Sequence, residues 1–168
     1  AGDASLFLTD RQVRFGPGRR DVMGDYRPSH VGLCVRDLDR SLRFFCDGLG
    51  FDEVEGFELD SDAAPGLDRS LEVPGPVKIV SQFIQNDTMK IELLHFVSPG
   101  VDGAPSAVRN QVGLTHLSFY VGDLEAAAQH LVDCGATVIE ETRASPGIDL
   151  LFLADPDGVR VELMALPT

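Results

Sequence analysis

One pattern of sequence elements occurs twice in this chain of 168 residues. His30 and His116 each open a short run of apolar residues that is typical of a strand. An aspartate follows each histidine at the same distance, Asp37 in the first half and Asp123 in the second. A unit that occurs twice predicts two equivalent structural units that pack against each other.

Helical patterns follow both aspartates. Asp37 and Asp123 are suitable N-caps, and apolar residues recur after each at helical spacing. Gly48, Gly50 and Gly135 are expected to end the two helices. The apolar positions are Leu38, Leu42, Phe45 and Leu49 in the first half, and Leu124, Ala127, Ala128 and Leu131 in the second.

Three apolar stretches follow each helix and predict strands. In the second half they lie near 137–142, 149–154 and 159–165, and Asp-Pro-Asp-Gly joins the last pair. In the first half they are 51–59, 77–84 and 89–97, with a loop at 60–76 and a turn at Asn86-Asp87. Each half therefore reads β-α-β-β-β.

These elements predict an α+β fold of two β-α-β-β-β modules. The first module spans 28–97 and the second 112–168, with a linker at 98–111. Residues 1–27 contain a Gly-Pro-Gly segment and scattered arginines, so we expect an N-terminal extension there rather than a core element.

The charge balance restricts the possible partners. The chain has 27 acidic and 14 basic residues, which gives a net charge of −13. Nucleic acids and anionic membranes both attract clustered lysine and arginine, so neither is expected as a partner. The three cysteines are widely spaced and no signal-peptide pattern opens the sequence, so we expect reduced thiols in a cytoplasmic protein.

Four polar residues lie within these apolar strands. Side chains alternate across a strand, so packing the apolar positions on the core places His30, Glu92, His116 and Glu162 on the other face. Taken singly, such a residue is usually solvated or hydrogen-bonded. Buried carboxylates need partners, however, and two histidines with two glutamates in one repeat predict a divalent-metal site.

Other polar residues are candidates for a substrate pocket. Cys34, Ser118 and Tyr120 share the predicted ligand face of their strands. Gln82, on the strand predicted at 77–84, is a fourth candidate. We expect His95 to point away from this face and His130 to be a solvated helix residue. Phe44 and Phe45 are expected to pack between helix and sheet, whereas Lys78 and Arg160 would flank the site as surface charges or contacts for an anionic substrate group.

Four stretches, 30–45, 90–94, 116–124 and 155–163, resemble the vicinal oxygen chelate superfamily. This superfamily includes glyoxalase I, methylmalonyl-CoA epimerase, extradiol dioxygenases, and fosfomycin- and bleomycin-resistance proteins. The resemblance covers about 28–166 and is nearest to the glyoxalase-like and methylmalonyl-CoA epimerase-like members. It implies an incomplete barrel, or cup, around one divalent ion, with His30, Glu92, His116 and Glu162 as ligands.

The resemblance further implies an isomerase, epimerase or lyase that acts on a small carbonyl compound. In such enzymes a metal-bound enolate or enediolate forms by proton transfer, and Glu162 or Glu92 would move the proton. The ion would be Zn, Ni, Co, Mn or Fe(II). Glyoxalase I carries a glutathione-contacting arginine where this chain has Cys34, so glutathione is not expected as the substrate. The additional glutamate base of the epimerase is absent from 77–83, so a two-base reaction on a CoA ester is not expected either.

Two other functions stay open at this point. Extradiol-type Fe(II) dioxygenases of this superfamily have no ligand at the position of Glu92, whereas ligand-sequestering proteins of the bleomycin-resistance type lack the metal ligands. Modules of this kind pair within one chain or across a homodimer. We expect a homodimer, but the sequence leaves open whether one chain or two complete the site.

Overall fold

The computed structural model describes residues 27–144 and 149–166, so the predicted extension lies outside it except for its last residue. In the first repeat the 60–76 segment, predicted as a loop, also contains a short helix. The elements are β1 (Val31–Cys34), α1 (Leu38–Leu42), β2 (Asp52–Asp60), α2 (Leu67–Leu71), β3 (Lys78–Gln85) and β4 (Lys90–Ser98).

Helix α1 continues as a π-helical segment, Arg43–Gly48, in which the Leu49 N–H bonds to the Phe44 carbonyl at 3.2 Å. The predicted N-caps of both modules are confirmed. The Asp37 carboxylate accepts from the Arg40 N–H, and the Asp123 carboxylate accepts from the Ala126 N–H, both at 3.0 Å.

The second repeat keeps the order of the first but has a shorter second strand. The strand predicted near 137–142 is wrong after Val138, because residues 140–144 form a 3-10 helix. Thr142 stabilises this turn, since its hydroxyl donates to the Ile139 carbonyl at 2.7 Å and accepts from the Phe152 N–H at 3.0 Å. The elements are β5 (Leu117–Val121), α3 (Leu124–Asp133), β6 (Thr137–Val138), β7 (Leu150–Ala154) and β8 (Arg160–Ala165).

The strands form two open four-stranded sheets, ordered β1-β4-β3-β2 and β5-β8-β7-β6. In each sheet the first strand of the module pairs in parallel with the last, and the other pairs are antiparallel. The predicted α+β class with two equivalent modules is therefore confirmed. Strands β1 and β5 are edge strands, each paired on one side only among the described residues.

Both modules contribute to one hydrophobic core. Apolar residues on one face of each sheet are buried with the helices in a single cluster that contains residues of both modules. Phe51 connects the two halves, with ring centroids 6.0 Å from Phe45 and 6.2 Å from Phe119. The opposite face of each sheet is left to the polar residues, as strand alternation requires.

The backbone of Gly48 in the first module packs closely against side chains of the second module. A Cβ there would lie 2.9 Å from Leu131 Cδ2 and 3.3 Å from Cys134 Cβ. Gly48 is therefore a packing residue, whereas Gly50, with a φ of 72°, follows the end of the π-helical segment. His130 adds a bond across this boundary, since its Nε2 lies 2.9 Å from the Asp47 carbonyl.

The turn between β7 and β8 docks on the first module. Asp157 accepts from the Arg36 backbone N–H at 3.0 Å and from the Arg40 guanidinium at 2.8 Å. Asp155 shapes the turn, because its Oδ1 accepts from the N–H groups of Asp157 and Val159 at 2.9 and 2.7 Å. Its Oδ2 is buried without a hydrogen-bond partner among the described residues.

Replacing Asp155 by asparagine is expected to remove a pH-dependent part of the stability. Burial raises the pKa of Asp155 from 3.8 to about 6, so the folded state favours the protonated acid. The unfolding free energy that the protonated Asp155 adds is fully present below pH 3.8 and is lost as the pH rises through about 6. Between pH 4 and 7 the wild type should lose about 1–3 kcal/mol of unfolding free energy relative to Asp155→Asn.

Urea titrations of both proteins across this range measure the difference. Asp62→Asn, at an exposed position, is the matched control and should follow the wild type. Parallel pH profiles for wild type and Asp155→Asn would contradict the expectation.

None of the helices in 27–144 and 149–166 is long and apolar enough to cross a membrane.

Candidate metal centre

Each module brings one histidine and one glutamate into contact. His30 precedes β1, and Glu92 on β4 is paired in register with Gly32. The Nε2 of His30 lies 3.1 Å from Glu92 Oε2, and the Nε2 of His116 lies 3.4 Å from Glu162 Oε2. The repeat in the sequence is thus a repeat of one His–Glu pair.

A hydroxyl group on the preceding residue contacts the other ring nitrogen of each histidine. Ser29 Oγ lies 3.0 Å from His30 Nδ1, and Thr115 Oγ1 lies 3.0 Å from His116 Nδ1. Engagement of Nδ1 leaves Nε2 as the nitrogen that faces the carboxylate. An imidazole whose second nitrogen is held in this way is oriented as metal-binding histidines usually are.

An aromatic ring packs against each imidazole. Phe83 is paired in register with Glu92, and its ring centroid lies 5.1 Å from that of His30 at 83°. Phe152 is paired with Glu162 and lies 5.3 Å from His116 at 86°. These edge-on contacts limit the rotation of both imidazoles.

A serine hydroxyl binds each glutamate, but from a different strand in the two modules. Ser81 on β3 donates to Glu92 Oε1 at 2.7 Å, whereas Ser118 on β5 donates to Glu162 Oε2 at 2.7 Å. Ser118 was predicted on this face, but sequence reasoning missed Ser81. Its position two residues before Phe83, on a strand that pairs with the Glu92 strand, was the available signal.

The two carboxylates therefore differ in how their oxygens are used. Glu92 contacts Ser81 through Oε1 and His30 through Oε2. Glu162 contacts both Ser118 and His116 through Oε2, so its Oε1 has no polar partner among the described residues. Glu162 consequently has an oxygen available for another group.

The two His–Glu pairs are separate within one chain. No group of three or more His, Cys, Asp or Glu side chains suited to a metal occurs in 27–144 or 149–166. Each histidine side chain is about one-third exposed, at 33% and 31%, while the glutamates are 14% and 12% exposed. Each pair is thus partly open to solvent, and we call it a half-site because it holds two of the four predicted ligands.

Three of the four predicted pocket residues lie on the expected faces. Cys34 and Tyr120 are exposed, and Tyr120 and Ser118 lie on β5 in register with Met164 and Glu162. Burial, followed by the nearby Asp157 carboxylate, raises the pKa of the Cys34 thiol. The thiol form that this favours is a poor metal ligand.

The placement of Gln82 in the pocket is wrong. Gln82 pairs in register with Leu93, a core residue, so it lies on the other face of β3 from Phe83 and Glu92. Its amide donates to the carbonyls of Glu55 and Phe83 at 3.2 and 3.0 Å. The reason is strand alternation: Ser81 and Phe83 face the half-site, so Gln82 between them cannot.

The remaining predicted polar residues have structural contacts. His95 points away as expected, with Nδ1 3.1 Å from the Val35 carbonyl, and His130 is bonded across the modules rather than only solvated. Lys78 pairs with Glu58 at 3.7 Å. Arg160 donates to the carbonyls of Ser106 and Ala107, so it fixes the linker.

Removing either serine hydroxyl is expected to weaken metal binding without unfolding the protein. Ser81→Ala and Ser118→Ala each leave one glutamate without the donor that orients it, which should lower the affinity for Co²⁺ roughly 10–100-fold. Competition against a chromogenic chelator measures the change. Ser70→Ala, on α2, is the matched control, and unchanged affinity in both site variants would contradict the role.

Two open sheets of repeated β-α-β-β-β order, each with a His–Glu pair on its polar face, define a duplicated-module cup protein. The chain belongs to the Glyoxalase/Bleomycin resistance protein/Dioxygenase superfamily, whose family model matches residues 27–163. The resemblance predicted from the sequence is therefore confirmed, and it extends over both modules.

Individual relatives agree with this assignment. The chain is 27% identical to a 2-epi-5-epi-valiolone epimerase from Actinomyces sp. over 168 aligned positions, covering 88% of this chain and 84% of the relative. Its fold is similar to a glyoxalase family protein from Bacillus cereus, with a TM-score of 0.68, 19% identity, and 89% and 98% of the two chains covered.

A third similar protein was solved with a metal ion. The fosfomycin resistance protein FosX from Listeria monocytogenes, complexed with Mn(II) and sulfate, has a TM-score of 0.51 and 16% identity. The match covers 87% of this chain and 94% of FosX. At this identity the likeness supports the shared fold alone.

Proposed function

We propose that this protein is a divalent-metal-dependent epimerase or isomerase of the glyoxalase type, which moves a proton next to a carbonyl group. The observation that carries the proposal is the pair of matching half-sites. In each, a histidine Nε2 faces a glutamate oxygen at 3.1 or 3.4 Å, with a hydroxyl on Nδ1 and an aromatic ring beside the imidazole.

The donor set fits a divalent metal ion. Two imidazole nitrogens and two carboxylates suit Zn, Ni, Co, Mn or Fe(II), and the two negative charges balance one dication. A single half-site supplies only two of these ligands. Two half-sites, His30 with Glu92 and His116 with Glu162, supply four and leave room for substrate oxygens in a six-coordinate ion.

We propose that a second copy of the chain completes each site. The two half-sites lie next to the edge strands β1 and β5, whose outer edges are unpaired among the described residues. Bringing β1 of one subunit beside β5 of the other joins His30 and Glu92 to His116 and Glu162 of the partner subunit. A two-fold homodimer then contains two equivalent sites.

Exposed apolar residues support this dimer. Val108, Val112 and Leu114 in the linker are 56%, 101% and 58% exposed, and Tyr120 on the β5 edge is 61% exposed. Large exposed apolar groups that occur together usually mark a surface that another molecule covers. Leu114 is two residues before His116 in the sequence, and Tyr120 lies on the edge strand where the partner subunit would pair.

The chemistry follows from the ligands. A divalent ion held by the four side chains would act as a Lewis acid toward a carbonyl oxygen. Glu162 is the residue best placed to take and return a proton, since its Oε1 has no polar partner among the described residues. Epimerisation is our first choice of reaction, because the relative with 27% identity bears the name of an epimerase.

Metal analysis of unsupplemented protein, followed by a proton-exchange screen in heavy water, tests the proposal. We expect about one divalent ion per chain and deuterium uptake next to the carbonyl of an α-hydroxy ketone or 2-oxo compound, lost after chelation. Protein that binds no divalent ion would favour a ligand-sequestering role. Oxygen uptake on catechols with Fe(II), without any exchange, would favour a dioxygenase.

A further inference from the structure

A positively charged side chain lies over the aromatic ring of each half-site. Lys90 Nζ is 4.4 Å from the centroid of Phe83, and the Arg109 guanidinium carbon is 3.4 Å from the centroid of Phe152. Each ring also packs edge-on against the histidine of its half-site. In each half-site, one aromatic ring therefore lies between the cation and the histidine.

The two cations differ in their partners. Lys90 is neutralised by Glu55, with Nζ 2.7 Å from Oε1. Arg109 is exposed, and its guanidinium has no hydrogen-bond acceptor or carboxylate partner within the described ranges. An arginine that keeps five unused N–H donors beside a candidate site, in a chain of net charge −13, can bind an anion there.

The linker backbone near Arg109 is held in place. Arg160 donates to the carbonyls of Ser106 and Ala107 at 2.6 and 2.7 Å. Further back, the Arg36 guanidinium donates to the carbonyls of Val101 and Gly103. Contact of the Arg109 guanidinium carbon with the Phe152 ring restrains this side chain, which lowers the entropy that anion binding would cost.

We propose that Arg109 binds an oxyanion of the substrate, a carboxylate or a phosphate, beside the His116–Glu162 half-site. This inference rests on the proposed function, because it places the anion on the molecule whose carbonyl approaches the metal. It narrows the substrate class to carbonyl compounds with an acidic group. Arg109 is thus a specificity residue on the linker, which the sequence analysis did not identify.

Three metal-chelating probes test this proposal on the cobalt-loaded protein. Acetohydroxamate carries two vicinal oxygens and no tail, whereas the succinic monohydroxamate adds a carboxylate and its phosphonate analogue adds a phosphonate. Binding is followed through the visible absorbance of Co²⁺. We expect the wild type to bind at least one charged probe roughly tenfold more tightly than acetohydroxamate.

Arg109→Gln should abolish this preference while leaving the affinities for Co²⁺ and acetohydroxamate unchanged. Arg143→Gln is the matched control, because Arg143 pairs with Glu125 and Glu140 in the helical part of the second module. Arg109→Lys should keep part of the preference, since it keeps the charge but loses the planar fork.

The outcomes separate this inference from the proposed function. Bound Co²⁺ with equal affinities for all three probes, or a preference that survives in Arg109→Gln, overturns the role of Arg109 alone. Wild-type protein that takes up no Co²⁺ overturns the proposed metal site and the Arg109 inference with it. If the phosphonate and the carboxylate differ, the tighter probe identifies the anion.

Discussion

Two variants that each lack one half-site are expected to restore about one quarter of the wild-type metal content when their subunits are mixed. The first is His30→Ala/Glu92→Ala, and the second is His116→Ala/Glu162→Ala. Each alone keeps only two ligands at every site, so neither should retain Co²⁺ through gel filtration. Proton exchange should follow the metal content.

The fraction follows from the proposed dimer. Random re-association makes half of the dimers mixed, and each mixed dimer has one site with all four ligands and one with none. Subunits are exchanged by mild denaturation and dilution, and bound cobalt is measured by elemental analysis. If all four ligands instead came from one chain, the mixture would stay as metal-free as its components.

Two controls make this experiment decisive. Mixing wild type with itself under the same treatment gives the recoverable maximum. Adding Gln129→Ala, at an exposed residue of α3, to one double variant gives its subunit a different mass, so native mass spectrometry of the mixture shows how far subunits exchange. Restoration in the mixture of double variants above the level of either component would support shared sites, and its absence despite subunit exchange would overturn them.

Glu162→Gln is expected to lower proton exchange by roughly 10²–10⁴ at saturating metal, the range for loss of a general base. Glu162 is the favoured base because Ser118 and His116 both contact its Oε2, so Oε1 has no polar partner among the described residues. An amide of the same shape keeps an oxygen donor for the ion but cannot accept a proton.

Glu92→Gln is the matched control for this effect. Both oxygens of Glu92 are already in contact, Oε1 with Ser81 and Oε2 with His30. It should weaken Co²⁺ binding about as much as Glu162→Gln does, yet retain more exchange once metal is saturating. Equal losses of exchange, or a larger loss in Glu92→Gln, would contradict the assignment of Glu162 as the base.

The sequence predicted most of the fold because the repeat is visible in residues that obey local rules. Asp37 and Asp123 cap their helices through side-chain bonds that any N-terminal aspartate can make. The 3-10 helix after Val138 was not predicted, because it depends on Thr142 bonding to the backbone of Phe152 on the neighbouring strand. A contact of that kind has no signature within the segment itself.

The candidate site was also predicted from the sequence only in part. Strand alternation predicted that His30, Glu92, His116 and Glu162 lie on polar faces, and both His–Glu pairs are found in contact. Gln82 was named as a pocket candidate without such a count of alternation. The observed pairing of Phe83 with Glu92 assigns the position to Ser81 instead.

By itself, then, the sequence determined two β-α-β-β-β modules and the polar faces that carry the two histidines and two glutamates, because periodicity and capping act over a few residues. The tertiary structure decided how the half-sites relate. Packing of Gly48 against Leu131 and of Phe51 between Phe45 and Phe119 joins the modules through their helix-bearing faces. The polar faces with the two His–Glu pairs therefore stay apart within one chain. This separation depends on contacts between residues far apart in the sequence, so the periodicity of the sequence does not predict it.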